Sequence, residues 1–340
     1  MNAIAKHVLT QVVTILLVSI LSLLFMKDES SSSMLGSGDS SKPEAWILKR
    51  AKGSLSSYEK RMASCVSIED STRLEDVSGL EDAKESIKVQ IVLPLLNHSL
   101  FYGPDTPMKP PAGVLFVGPP GTGKTMLARS VATETKAALI SVQLADIEDK
   151  YYGESSKLVK ACFSLAKKME PCILFFDEID GMLRERNELD QANYGLKTEL
   201  LQQMDNLLTE PRKAVVVIAC TNCARDLDPA LKRRVPVTFQ IGLPDEEARN
   251  DILSRCGSMT DLSACVAKLT DGCTGSDLKE IHRLSQESRI TTVLKDPSNI
   301  QFMLNRPKEF QLTSRDIQYE DWIYALKKFK HTKTANSFRM

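Results

Sequence analysis

Apolar and polar positions divide the chain into stretches of different rhythm. The first is unbroken: from Val8 to Met26, nineteen residues run without a charge. As a helix rising 1.5 Å per residue, that stretch is roughly 28 Å long, about one hydrocarbon core. The apolar region of a cleaved signal peptide is shorter, about 7–15 residues, and no small-x-small cleavage pattern follows. Lys27-Asp28-Glu29 comes next instead. The expectation is one uncleaved N-terminal transmembrane helix. Residues 27–43 then turn polar and Ser/Gly-rich, a flexible tether. Within 44–70, the apolar positions Trp46, Ile47, Leu48, Leu55, Tyr58 and Met62 suggest short helices, in a partly ordered linker or a small collar.

From Leu74 the rhythm alternates. Ala83, Ile87, Ile91 and Leu95 recur at every fourth position and predict a helix from Glu81 to about Leu96. Apolar runs at 113–117, 138–142, 172–176, 214–220 and 237–241 read as buried strands, separated by helical or loop sequence. Strands alternating with helices mean an α/β fold with a doubly wound parallel sheet. After Pro244 the pattern is helical alone, near 245–256, 276–294 and 314–329, which predicts a small all-helical C-terminal domain. The expected division is 1–26 anchor, 27–70 tether and linker, 71–243 large domain and 244–340 helical domain.

The loop after the first strand-like run carries the chemistry. Gly118-Pro119-Pro120-Gly121-Thr122-Gly123-Lys124-Thr125 fits G-x-x-x-x-G-K-[ST], the P-loop, between an apolar strand and a helix that opens with Met126. Its glycines let the backbone turn so that successive N–H groups point at phosphate oxygens, and the helix N-terminus adds partial positive charge. Lys124 is placed to reach the β- and γ-phosphates of ATP, and the Thr125 hydroxyl to ligate Mg²⁺. Some fifty residues later, the run 172–176 ends in Asp177-Glu178, the Walker B arrangement. Asp177 is expected to hold Mg²⁺, directly or through water, and Glu178 to polarise the attacking water.

Composition narrows the reading. Lys+Arg and Asp+Glu are both 44 in 340 residues, so no global charge argues for a nucleic-acid partner. The eight cysteines are scattered, and Cys220-x-x-Cys223 lacks a second pair or a nearby histidine at zinc spacing. Reduced thiols in a reducing, ATP-supplied compartment fit best. The histidines, at 7, 98, 282 and 331, make no His-Glu-x-x-His, which excludes a metalloprotease.

Together, Asp76–Leu80, Gly118–Thr125, Asp177-Glu178-Ile179-Asp180, Thr221-Asn222, Arg233-Arg234 and Gly275-Ser276-Asp277-Leu278 resemble an AAA ATPase. Further stretches, Leu55–Lys60, Lys150–Ser155, Ala166–Pro171 and Leu183–Arg186, are similar to the membrane-anchored dislocases of mitochondria and peroxisomes. Members of that family extract mislocalised tail-anchored proteins. The resemblance covers roughly residues 50–330 and departs from the usual pattern at Tyr151, Ala219-Cys220 and Lys232, none of them a catalytic group.

What the resemblance implies is specific. Asn222 takes the place of sensor 1, orienting water against the γ-phosphate. Arg233 and Arg234 take the place of arginine fingers that reach a neighbouring subunit's ATP, so hydrolysis requires a homo-hexameric ring. Asp76, Val77, Gly79, Gly275 and Ser276 flank the base, although Ser276 or Asp277 reads equally as a helix cap. Tyr151 and Tyr152 form a pore loop that grips a threaded client, and a second pore loop lies within 187–195. The partners implied are membrane-protein clients and a bilayer crossed by residues 8–26. The location implied is the mitochondrial outer membrane, with peroxisomes as a second one and the ATPase domain in the cytosol. A microtubule-severing ATPase of katanin or spastin type shares the ATPase core and is the alternative. Residues 27–70 leave little room for the N-terminal domain such enzymes carry.

Overall fold

The apolar runs become strands because both faces of the sheet they form are covered. The computed structural model describes residues 47, 50–67, 71–97, 101, 110–147, 154–183, 191–209, 214–257, 260–293, 295 and 316–337. A two-residue strand, β1 (Val66–Ser67), comes first. It is followed by β2 (Gly113–Val117), β3 (Ala138–Val142), β4 (Cys172–Phe176), β5 (Val215–Thr221) and β6 (Val237–Gln240). Alternate residues serve opposite cores. Leu115, Leu174 and Val217 pack on one face, while Val114, Phe116, Ile173, Phe175 and Ile218 pack on the other. Each such burial is worth about 1.5–3 kcal/mol as an upper estimate.

The strand order is β1-β3-β4-β5-β2-β6. Four of its five pairings are parallel, and β1 pairs antiparallel with β3, Val66 opposite Ile140. The sheet is therefore mixed rather than wholly parallel. Two residues are too short to show an alternating pattern, so β1 was invisible in the sequence. It lies inside the stretch expected to be tether and linker. There, helix α1 (Ser57–Met62) opens with a capping box in which Ser56 Oγ accepts from the Glu59 amide and Glu59 from the Ser56 amide. Ile47 and Met62 are buried in the main core, so the described part of this linker is packed. The Glu59 carboxylate, 2% exposed, also accepts from Ser164 and Lys168. Burial pushes its pKa up, but those partners outweigh it and hold the group below the ordinary carboxylate range.

The helix expected from Glu81 forms with its apolar positions inward, but in three pieces. These are α2 (Glu81–Ile87), a π-helical turn (Lys88–Val92) and α3 (Leu93–Leu96). Between the strands lie α4 (Lys124–Thr135), α5 (Leu144–Ile147), α6 (Glu154–Lys168), α7 (Ile179–Leu183), α8 (Gln191–Thr209) and α9 (Pro229–Arg234). The C-terminal part is helical: α10 (Glu246–Arg255), α11 (Thr260–Leu269), α12 (Gly275–Val293) and α13 (Tyr319–Ser337). Of these, α11 was not expected. Among the described residues no helix is long and apolar enough to cross a membrane, and the expected span 8–26 lies outside those residues.

The helical core gathers Leu253, Val266, Leu278, Ile281 and Leu326 around the fully buried Trp322. His282 stacks near that ring, centroids 5.7 Å apart, and its buried Nδ1 makes no hydrogen bond. Burial, with Arg289 adding repulsion, depresses the His282 pKa below 6.5. Between that depressed value and 6.5 the unfolded chain binds a proton that the folded chain refuses, so stability falls as pH drops through the window. Thermal melts are expected to lose at most about 3–5 °C per pH unit there. His282→Gln is expected to flatten that slope.

Candidate active site

The P-loop lies between β2 and α4, at the carboxyl ends of the parallel strands, where ligands of such sheets bind. Its first glycine has no alternative: a Cβ on Gly118 would stand 1.9 Å from the Ile241 carbonyl oxygen at the end of β6. Gly121 and Gly123 have φ of +79° and +97°, the left-handed region that glycine occupies without steric penalty. A Cβ on Gly123 would meet nothing within 4 Å, so its backbone angle rather than crowding is what calls for glycine there. The cradle inside the loop opens into a cavity of about 810 Å³.

Lys124 is 7% exposed, and its Nζ donates to Gly118 O (2.8 Å), Pro119 O (2.9 Å) and Asn222 Oδ1 (2.8 Å). Burial pushes its pKa down, opposed by the carboxylates of Asp177, Asp180 and Glu178. An anion in the cradle would favour the charged form and oppose that shift. The Thr125 hydroxyl donates to Asp177 Oδ2 at 3.0 Å. Two oxygens bound side by side to one octahedral Mg²⁺ at about 2.1 Å are roughly 3.0 Å apart, so this pair fits that ion as it stands. Thr122 caps the loop by donating to Pro119 O.

Glu178 closes β4 with its side chain exposed toward the same cavity. Its φ is +49°, a strained value for a residue with a Cβ, of the kind that gathers at functional sites. Asp180, two residues on, accepts from the Thr221 hydroxyl at 2.8 Å. Thr221 in turn accepts from the Cys223 amide. These bonds fix the β5 end that presents Asn222.

The part of the cavity expected to flank the base is made by two distant segments. Asp76, Val77 and Ser78 line one side, and Gly275 and Ser276 the other, where the Ser276 amide donates to Gly121 O. The helix cap belongs to neither Ser276 nor Asp277 alone: Thr274 Oγ1 accepts from the Asp277 amide, and Asp277 accepts from the Thr274 amide. Pro120, Thr122 and Met126 also line the cavity. Gly79 borders neighbouring clefts instead, with its position for a Cβ 2.9 Å from Ala248, and Pro119 acts through its carbonyl.

Two expected groups stand away from this cavity. Arg233 is exposed at the end of α9. Arg234 forks onto Asp205 of α8, Nε to Oδ1 at 2.8 Å and Nη2 to Oδ2 at 2.5 Å. Tyr151 and Tyr152 lie outside the described residues, as do residues 187–190 of the second pore-loop stretch 187–195, whose remainder opens α8. Sequence reasoning missed Ile252, Arg255, Cys256 and Lys279, all of which line the cavity. No motif marks them, because α10 and α12 reach the P-loop only in the folded chain.

Comparisons with known proteins agree with this geometry. Residues 114–243 match the profile of the ATPase family associated with various cellular activities (AAA). Over 302 residues the chain is 34% identical to an outer mitochondrial transmembrane helix translocase of Danio rerio, covering 84% of this chain and 78% of that protein. Spastin of Drosophila melanogaster is 41% identical over 211 residues, which are 60% of this chain and 27% of spastin. Among solved structures, the crystal structure of the FIGL-1 AAA domain superposes with a TM-score of 0.67 at 29% identity, covering 81% of this chain and 89% of that one.

Proposed function

The chain belongs to the AAA ATPase family, among the outer mitochondrial transmembrane helix translocases, and from that premise we propose a membrane-anchored dislocase. In this reading residues 8–26 span the mitochondrial outer membrane, and peroxisomal membrane as a second location. Residues 71–243 and 244–340 act as the large and small ATPase domains in the cytosol. Six copies form a ring that threads mislocalised tail-anchored proteins. The observation that carries the ATP chemistry is the convergence of Lys124, Asn222, Thr125 and Asp177 through contacts of 2.8–3.0 Å at one strand edge.

The roles follow from placement. Lys124 neutralises phosphate charge as it leaves its loop carbonyls. Asn222, set by Thr221 and Asp180, is 2.8 Å from Lys124 and so stands beside the γ-phosphate position. Glu178 orients and deprotonates the attacking water. Thr125, and Asp177 directly or through water, would hold Mg²⁺, which would supply neutralisation of phosphate charge. Arg233 serves the neighbouring protomer, and Arg234, the second finger expected from the resemblance, is held on Asp205 and steadies the end of α9 that presents Arg233.

ATP is needed because a ~20-residue apolar anchor is held in the bilayer by roughly 30 kcal/mol. Non-covalent capture saturates near ~20 kcal/mol, so repeated driven steps are required. Tyr151 and Tyr152 provide a grip indifferent to client sequence, since flat amphipathic rings stack on any backbone. Tyr151→Ala with Tyr152→Ala is expected to keep ATP hydrolysis within about twofold while extraction from vesicles drops at least ~10-fold. Undiminished extraction by that variant would remove both tyrosines from the grip. The local identity to spastin favours microtubule severing as a second reading. Co-sedimentation of the chain with microtubules would support it.

A further inference from the structure

The base end of the pocket is fastened by a residue that no motif contains. Arg255, the last residue of α10, sends its guanidinium in three directions. Nε donates to Asp251 Oδ2 (2.9 Å), Nη1 to Asp76 Oδ1 (3.2 Å) and Nη2 to Glu75 O (2.8 Å). The same Asp251 oxygen accepts from the Ser78 hydroxyl at 2.6 Å. Asp76 is held in turn by the Arg73 amide, which donates to its Oδ2 at 2.7 Å. The segment before the P-loop and the first C-terminal helix are thus joined by residues 179 positions apart. Both walls of the cavity meet at this point, since Asp76, Ser78 and Arg255 all line it.

We propose that Arg255 is a positioning residue for the nucleotide. It latches Asp76–Ser78 onto α10, thereby fixing the base end of the pocket and the rate at which nucleotide leaves. This rests on the assignment of the pocket to ATP. A guanidinium suits the task because its fork satisfies a carbonyl and two carboxylates at once, which an ammonium on a flexible stem does less well. Single exposed ion pairs contribute little, but a shared network with an ordered fork contributes more. The latch acts on the base side only, because the phosphates are held by loop amides and Lys124 on the other side of the cavity.

The test compares full-length wild-type chain with Arg255→Met, which keeps the aliphatic stem, and with Arg255→Lys. Binding of ATP, of ADP and of inorganic tripolyphosphate is measured, together with ADP release. Arg255→Met is expected to raise Kd for ATP and ADP by the same factor, roughly three- to tenfold. ADP release should quicken by a similar factor, and tripolyphosphate affinity should hold. KM for ATP should rise while kcat stays, and Arg255→Lys should recover part of the loss. Unchanged ATP and ADP affinity would overturn the latch. So would an equal loss for tripolyphosphate, which marks a general loosening of the fold. A wild-type chain that binds tripolyphosphate but neither nucleotide would overturn the pocket assignment itself, a result distinct from both.

Discussion

Glu178→Gln is expected to bind ATP as well as the wild type and to hydrolyse it roughly 10²–10⁴ times more slowly, the usual worth of a positioned general base. The substitution keeps the side-chain volume and removes the proton acceptor. Among the described residues the hydrogen bonds of Lys124 and Thr125 do not involve that carboxylate: Lys124 is held by Gly118, Pro119 and Asn222, and Thr125 by Asp177. ATP should therefore stay bound, and rings should accumulate in the ATP state. Rapid-quench measurement of phosphate release beside equilibrium ATP binding checks both halves. Normal turnover in the variant would take the role from Glu178. Parallel loss of binding would mean that the strained backbone at residue 178, φ +49°, had given way instead.

Neutralising Arg233 is expected to be costlier, about 10³–10⁵ in kcat, because a finger stabilises charge that develops only in the transition state. The distinctive consequence is where the loss is felt. Arg233 is exposed at the end of α9 and lies outside the cavity of its own chain, so in the proposed ring its phosphate partner is another copy's. Arg233→Ala and Lys124→Ala chains should each be inactive alone. Mixed together, they should regain a measurable fraction of wild-type hydrolysis, because the Lys124→Ala copies lend an intact Arg233 to sites with an intact Lys124. A finger acting within its own chain would give no such recovery. Arg234 differs in kind, since its fork already grips Asp205 and anchors α9 to α8. Lys197, paired with the helix-capping Asp228, anchors the other end of α9.

Much of the site was legible because its chemistry constrains residue type and local order together. A loop that must place successive amides on phosphates requires glycine at fixed offsets, and an apolar strand ending in Asp-Glu declares both burial and charge. The strand runs were legible for the same reason, since burial on two faces leaves no polar interruption. What stayed hidden depends on contacts between distant segments. β1 is two residues long and exists only because Val66 meets Ile140. Helix α11 carries small and polar residues whose burial, as at Ser263, follows from packing on α10. Arg255 looks like any basic residue near a helix end until Asp76 is brought beside it. Arg234 reads as a second finger beside Arg233 until α8 brings Asp205 to it.

The most direct measurement is extraction itself. Full-length chain is placed with vesicles bearing a client held by one C-terminal apolar helix, and client released into the aqueous phase is followed with and without ATP. Release is expected with ATP, and none with the Glu178→Gln chain or with ADP. A client that stays in the bilayer while the wild-type chain hydrolyses ATP at its full rate would contradict ATP-driven extraction.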